Sequence, residues 1–473
     1  MTRHVLAVDQ GTSGTKAAVV DEAGTIVGIA EVALRPRYGA DGAVEQDPEL
    51  LFASIIEAGC AAIAAAGVPV HAVALANQGE TVLAWDRDTG RPLTPAVVWQ
   101  DRRSASICDE LASHADQIRA VTGLTLDPYF SAPKMAWVRR HLTTAGVVTT
   151  TDTWIVHRLC GAFVTDTTTA SRSLLMDLES RAWSDEMVAL FGLEGEPMPT
   201  IVASDVQVGT TDLFGDTIPV TGLIVDQQAA LLAESCLDVA DAKCTFGTGA
   251  FLLAQTGPSA VVAPDGLARS VAWDLRGRTS YCLDGQVYTA ASTIAWLADL
   301  GIIGGAAELD EIASDDSGGA IFVPAFAGLG APWWQPGARA SLTGLSLSTG
   351  RPEIVRAMLD GIAAQVAMLI ATMDKSLGSP IASLRVDGGL TRSRALMQAQ
   401  ADLSQIPVEV FPSQHATVLG AAACARLGLD PALTVPQATT GWRPSAQFTP
   451  RWSADRAATY LDTFTESMGS GQL

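Results

Sequence analysis

Two short apolar runs, Val5-Leu6-Ala7-Val8 and Ala17-Ala18-Val19-Val20, bracket the polar stretch DQGTSGTK from Asp9 to Lys16. Paired β-rich runs around a glycine-bearing turn predict a hairpin. Its tip carries Gly11 and Gly14, which permit close backbone approach, and the hydroxyls of Thr12, Ser13 and Thr15. Successive backbone N–H groups in such a turn form an anion-binding nest. A carboxylate at the end of the first strand suits a hard cation such as Mg²⁺. An ordinary hairpin with a small-residue turn fits the same stretch equally well. Neither GxxxxGK[ST] nor GxGxxG is present in it, so the two common phosphate-loop motifs do not apply.

The same pattern returns later in the chain. Lys243-Cys244-Thr245-Phe246 leads into GTGA (247–250), and Phe251-Leu252-Leu253-Ala254 leads out. Two small-residue turns between apolar strands, one in each half, form a weak internal repeat. Around them the chain alternates strand and helix, which predicts an α/β class with sites at the carboxyl ends of strands. Asp47 and Pro48 mark a helix start, as N-cap and first helical residue. The run Thr221–Val225 reads as a strand ending in Asp226, with a helix over Ala229–Glu234. Spacing of Ile354, Met358, Ile362, Val366 and Ile370 predicts a core helix over Glu353–Ser376. LRVDGG (384–389) is a strand breaking at two glycines, which serve either a flat ligand or a positive-φ turn.

Composition removes several function classes. With 473 residues the chain is long enough for two or three domains, and 48% hydrophobic residues supply their cores. A formal net charge of −21 argues against nucleic-acid and anionic-membrane partners. A polyanionic ligand must therefore be held by backbone N–H groups, a few cations and metal. Lysines occur only at 16, 134, 243 and 375, which singles out Lys16 in the first turn. Seven scattered cysteines without a CxxC pair predict reduced thiols, and no leader-like segment precedes Val5. A cytoplasmic location is the expectation.

The ordered set of stretches resembles the FGGY carbohydrate kinases of the actin-like ATPase superfamily, and most closely their glycerol-kinase branch. Among the stretches are DQGTSGTK (9–16), NQGETVLAWDRDTGRPL (77–93), VVWQDRR (97–103), GLTLDPYFSAPKMAW (123–137), TDTTTASRSLLMD (165–177), VDQQAALL (225–232), FGTGAFLLAQTG (246–257) and RVDGGLTRSRALMQ (385–398). The resemblance implies two actin-like (ribonuclease H-like) α/β domains, 1–235 and 236–473, closing on a central cleft. The first domain would carry most polyol-binding residues and the first phosphate loop. The second would carry the other phosphate loop and the adenosine site. ATP and Mg²⁺ are the implied cofactors, with Asp9 on the metal. Thr12, Ser13, Gly14, Lys16 and Thr248 would face phosphates, and Gly389 and Ser393 the adenosine. Asp226 is implied as general base toward the attacking hydroxyl. Glu80, Tyr129, Asp226 and Gln227 match hydroxyl-binding positions, and Trp99 and Phe251 an apolar wall.

The implied activity is ATP-dependent phosphorylation of a small polyol or sugar, with a homodimer or homotetramer left open. Two departures matter. Glycerol kinases carry Arg immediately before the Glu of the NQxET stretch, where this chain has Gly79. Loss of that guanidinium leaves space and predicts a longer polyol or ketose, such as a tetritol, a pentitol, xylulose or ribulose. Ala291 and Ala295 replace a Gly and a Gln expected near the nucleotide, which weakens the implied adenine contacts. The remote alternative is a non-metabolic actin-like ATPase, which would not require Glu80, Trp99, Tyr129 and Gln227 around a small polar pocket.

Overall fold

The computed structural model describes residues 3–259, 263, 266–439 and 441–470. Its chain divides into two compact units, each with its own sheet.

In the first unit, strands Val5–Gln10 and Gly14–Val20 form the predicted antiparallel hairpin, with Asp9 opposite Lys16. Ala72–Asn77 lies parallel to the first of these, and Ile218–Val225 lies parallel to Ala72–Asn77. Near-continuous burial of these strands explains their unbroken apolar sequence, since parallel strands are covered on both faces. Helix Pro48–Ala66 starts as predicted, the Asp47 carboxylate accepting from the N–H groups of Glu49 and Leu50. It packs on Gly14–Val20 and Ile26–Ala33, where a Cβ on Gly28 would lie 2.5 Å from Ala62 O.

This unit is not confined to residues 1–235. Arg269–Tyr281 and His415–Thr440 cluster with it. Close backbone packing explains the second segment. Helix Ala416–Leu429 lies on strand Ile218–Val225 and on helix Asp226–Ala233. A Cβ on Gly420 would stand 1.9 Å from Ala229 O, and one on Gly222 2.7 Å from Ala425 N. Asp226 itself is the first residue of its helix, rather than a strand end three residues ahead of one.

In the second unit, Ala242–Phe246 and Ala250–Gly257 form the second hairpin. Leu384–Asp387 runs parallel to Ala242–Phe246, followed in the sheet by Val408–Val410 and Ala446–Phe448. The predicted core helix spans Arg351–Leu377 and packs against Ile321–Val323 and Ala250–Gly257. By length and composition it and Pro48–Ala66 could each cross a membrane; 83% of the apolar window of Arg351–Leu377 is buried, which marks it as a core helix.

Candidate active site

Strand register assembles the first unit's site. Asp9 is level with Ala76, and Gln10 with Asn77, while Ile224 and Val225 pair with the same two residues. Asp9, the Asn77–Glu80 turn and Asp226 therefore emerge at one carboxyl edge. Asp9 and Asp226 are two strand spacings apart, roughly 10 Å sideways. This edge is where ligands of open α/β sheets bind. A cavity of about 360 Å³ bordered by Val5, Arg426 and Leu433 lies at the amino end of the same strands and is not part of this site.

The first turn is closed by Gly11 N–H donating to Gly14 O at 3.0 Å. Gly14 is required by packing: a Cβ there would stand 2.8 Å from Val32 O. Ser13 is exposed and Lys16 half-buried, its ammonium 3.8 Å from Glu31. Thr12 is held on three sides. Its Oγ1 donates to Gln78 Oε1 at 3.0 Å and accepts from the Trp99 indole at 2.8 Å, and its carbonyl accepts from Gln46 Nε2 at 2.6 Å. Gln78 in turn donates to Gln46 Oε1 at 2.7 Å. The phosphate-type turn is thus tied to the strand end that carries Glu80.

Glu80 has φ +58°, the left-handed region that a non-glycine residue occupies only when its surroundings hold it there. The side chain is almost wholly buried and paired with Arg172, whose Nε donates to Glu80 Oε1. Nη2 of Arg172 donates to the Tyr129 hydroxyl at 3.3 Å. Trp99 meets Tyr129 edge-on, with centroids 5.6 Å apart. Burial pushes the Glu80 carboxyl up to about 7, against the pull of Arg172. Fully buried Lys134 donates to the carbonyls of Pro128, Tyr129 and Phe130 at 3.0, 2.5 and 2.7 Å, and burial brings its ammonium down to about 7.

Next to the backbone, the space expected at Gly79 is bordered by Val225 and Arg172. A Cβ on Gly79 would stand 3.0 Å from Val225 Cγ2 and 3.8 Å from Arg172 Nε. Arg172 approaches from the short helix Thr167–Ala170, which Asp166 caps through the N–H groups of Thr168 and Thr169. The same helix supports both neighbouring strand ends. Thr168 Oγ1 accepts from Val225 N–H at 2.8 Å, just ahead of Asp226, and Thr169 Oγ1 donates to Asn77 Oδ1 at 3.3 Å.

Asp226 and Gln227 are half-buried, and Asp226 Oδ1 accepts from Gln227 N–H at 2.7 Å. A helix N-terminus favours the negative charge that a base must carry.

The second unit repeats the arrangement. Gly247 N–H donates to Gly249 O at 2.9 Å, and the exposed Thr248 offers its carbonyl to Ala290 N–H at 2.8 Å. Thr245 is level with Asp387, so the Gly388-Gly389 turn emerges beside the Gly247–Gly249 turn. Gly388 has φ +95°, and a Cβ there would lie 2.4 Å from Phe246 O; nothing lies within 4 Å of where a Cβ on Gly389 would be. The first glycine is thus structural and the second presents open backbone. Ser393 caps helix Arg394–Ser404, accepting from Leu396 N–H, while its hydroxyl donates to Asp310 at 2.8 Å. Its only hydroxyl proton is thereby used inside the protein. Phe251 is half-buried on the strand leaving the hairpin.

Models of the N-terminal and C-terminal domains of the FGGY family of carbohydrate kinases match residues 4–233 and 242–429. The chain belongs to the FGGY family of carbohydrate kinases. It is 41% identical to a glycerol kinase of Thermus brockianus, over 97% of this chain and 96% of that one. Among solved structures, Plasmodium falciparum glycerol kinase with ADP superposes with a TM-score of 0.91 at 30% identity, covering 100% of this chain and 99% of that one. A xylulose kinase from Lactobacillus acidophilus shares the fold, with a TM-score of 0.89 at 21% identity and coverage of 99% and 98%.

Both units accordingly have the actin-like (ribonuclease H-like) α/β fold of FGGY kinases. As a member of that family the chain is a phosphotransferase, carrying a phosphoryl group from ATP to a hydroxyl of a small polyol or sugar. Sequence reasoning about this FGGY chain missed Arg172, Lys134 and the Gln46–Gln78 pair. One signal was available: a cation inside SRSLLM, flanked by small and apolar residues, must find a buried partner.

Proposed function

We propose that the acceptor is a three-carbon polyol, glycerol in the first instance, and that Asp226 is the general base. What supports this reading is the shared carboxyl edge of Asp9, Glu80 and Asp226, together with the likeness to glycerol kinases over nearly the whole chain. The xylulose kinase that shares the fold is only 21% identical, against 41% for a glycerol kinase, which favours the shorter acceptor over a longer polyol or ketose. A small polyol suits the remaining surfaces. Glu80 and Tyr129 offer hydroxyl partners, and the Trp99 ring packs on C–H edges.

The Asp226 carboxylate would align the attacking hydroxyl and accept its proton as the oxygen closes on the γ-phosphorus. Most of the rate should come from positioning and from charge stabilisation at the transferring phosphoryl. In this reading the Gly11–Thr15 turn with Lys16, and Thr248 in the second unit, contact phosphate oxygens. Gly389 offers flat backbone to the adenosine, and Ser393 serves chiefly as a helix cap. A half-buried carboxylate at the base of a turn that exposes the Ser13 hydroxyl is a donor set suited to hydrated Mg²⁺, so Asp9 would hold the ion, through water. Bound Mg²⁺ neutralises charge on the β- and γ-phosphates.

Steady-state kinetics with ATP and a panel of glycerol, erythritol, xylitol and xylulose tests the acceptor. The reading expects the highest kcat/KM for glycerol. A higher value for a four- or five-carbon acceptor would overturn it.

A further inference from the structure

The best-formed polar cluster at the carboxyl edge centres on a residue that the proposed mechanism does not yet use. Arg172 and Glu80 each keep only 4% of their side-chain surface exposed. A buried guanidinium is retained only with its donors satisfied. This one spans two groups that face the polyol in the reading above, donating through Nε to Glu80 and through Nη2 to the Tyr129 hydroxyl. It also lies over the rings of Tyr129 and Phe130, its Cζ 5.7 and 5.9 Å from their centroids. The fork geometry of Arg serves two acceptors at once, which a lysine ammonium reaches less well.

Its approach depends on position 79. Nε of Arg172 is 3.8 Å from where a Cβ on Gly79 would stand. A long side chain grown from that Cβ would enter the space beside the guanidinium. A cationic one would place a second donor next to Glu80.

Resting on the small-polyol reading, we infer that Arg172 is the specificity-determining residue of the acceptor pocket, orienting Glu80 and Tyr129 for the polyol hydroxyls, and that with Gly79 beside it no side chain at position 79 shares its pairing with Glu80. Positions 79 and 172 are then energetically coupled, although they lie 93 residues apart (172 − 79).

The test is a double-mutant cycle on the full-length protein, using Gly79→Arg and Arg172→Gln. Glycerol KM, ATP KM, kcat and thermal midpoint are read for all four proteins. Removing Arg172 in the Gly79 background should raise glycerol KM at least about tenfold and move ATP KM less than about twofold. In the Gly79→Arg background the same removal should cost less than about threefold, because the second guanidinium takes over the pairing with Glu80. Equal costs in the two backgrounds, or glycerol KM within about twofold of wild type for Arg172→Gln, would overturn the inference. Should Arg172→Gln fail to fold, Arg172→Lys replaces it on the same criteria. Tyr129→Phe, which removes only one acceptor, must then raise glycerol KM without moving ATP KM; an unchanged KM counts against the inference. A wild-type protein that phosphorylates no polyol would instead refute the function reading.

Discussion

The indole N–H of Trp99 donates to Oγ1 of Thr12 at 2.8 Å, joining the proposed wall of the acceptor pocket to the tip of the first Gly/Thr turn. Thr12 Oγ1 itself donates to Gln78 Oε1, two residues before Glu80. One hydroxyl therefore connects the proposed phosphate turn to the proposed acceptor residues within a single unit.

Thr12→Val keeps the shape and removes both hydrogen bonds. A net loss of about 1 kcal/mol per bond, roughly fivefold in binding, is expected. KM should rise for ATP and for glycerol together. A rise in ATP KM alone would show that the Trp99 link does not transmit to the acceptor.

Acceptor binding should depend on pH through Glu80. Burial raises its carboxyl from 4.5 to about 7, opposed first by Arg172. Protonation as pH falls through that value removes an acceptor for a polyol hydroxyl. The expected profile of kcat/KM for glycerol falls on the acid side of about 7 with a slope near one, and Glu80→Gln lacks that limb. Stability carries the opposite sign: a carboxyl raised on folding contributes most below its unfolded value of 4.5 and loses this as pH rises toward about 7. Glu80→Gln should flatten that decline in a pH series of denaturant midpoints.

How much of this was legible in the sequence depends on the range of each interaction. The hairpins, the Asp47 cap and the core helix follow from period and capping, which are local, and all are present. The Asp226 helix starts earlier than its apolar pattern suggested because a polar residue at a helix start leaves no periodic trace. Membership of His415–Thr440 in the first unit rests on Gly420 meeting Ala229, a contact spanning nearly half the chain. Arg172 was the costliest omission. Its partner lies 92 residues away, so no local pattern pairs them.

Lys134→Met tests how the Tyr129 turn is held. The ammonium satisfies three carbonyls in a buried site. Leaving them unpaired should cost about 3 kcal/mol of stability. Displacement of Tyr129 should raise glycerol KM while ATP KM stays near its starting value. A chemical denaturation curve and one set of kinetics check both parts.

Gly420→Ala probes the packing beneath the base. The added methyl would lie 1.9 Å from Ala229 O, inside the helix that begins at Asp226. Overpacking of this kind typically costs about 1–3 kcal/mol. The helix must shift to accommodate it, so kcat should fall more than KM rises. Unchanged kcat in a folded protein would mean that Asp226 is positioned independently of helix Ala416–Leu429.

The central claim is that Asp226 takes the proton from the acceptor hydroxyl. Its most direct test is kcat for ATP-dependent glycerol phosphorylation by Asp226→Asn, measured beside the dissociation constant for ATP. The account predicts a loss of about 10²–10⁴ in kcat with ATP affinity within about twofold of wild type. Turnover within about tenfold of wild type, at unchanged ATP affinity, would contradict it.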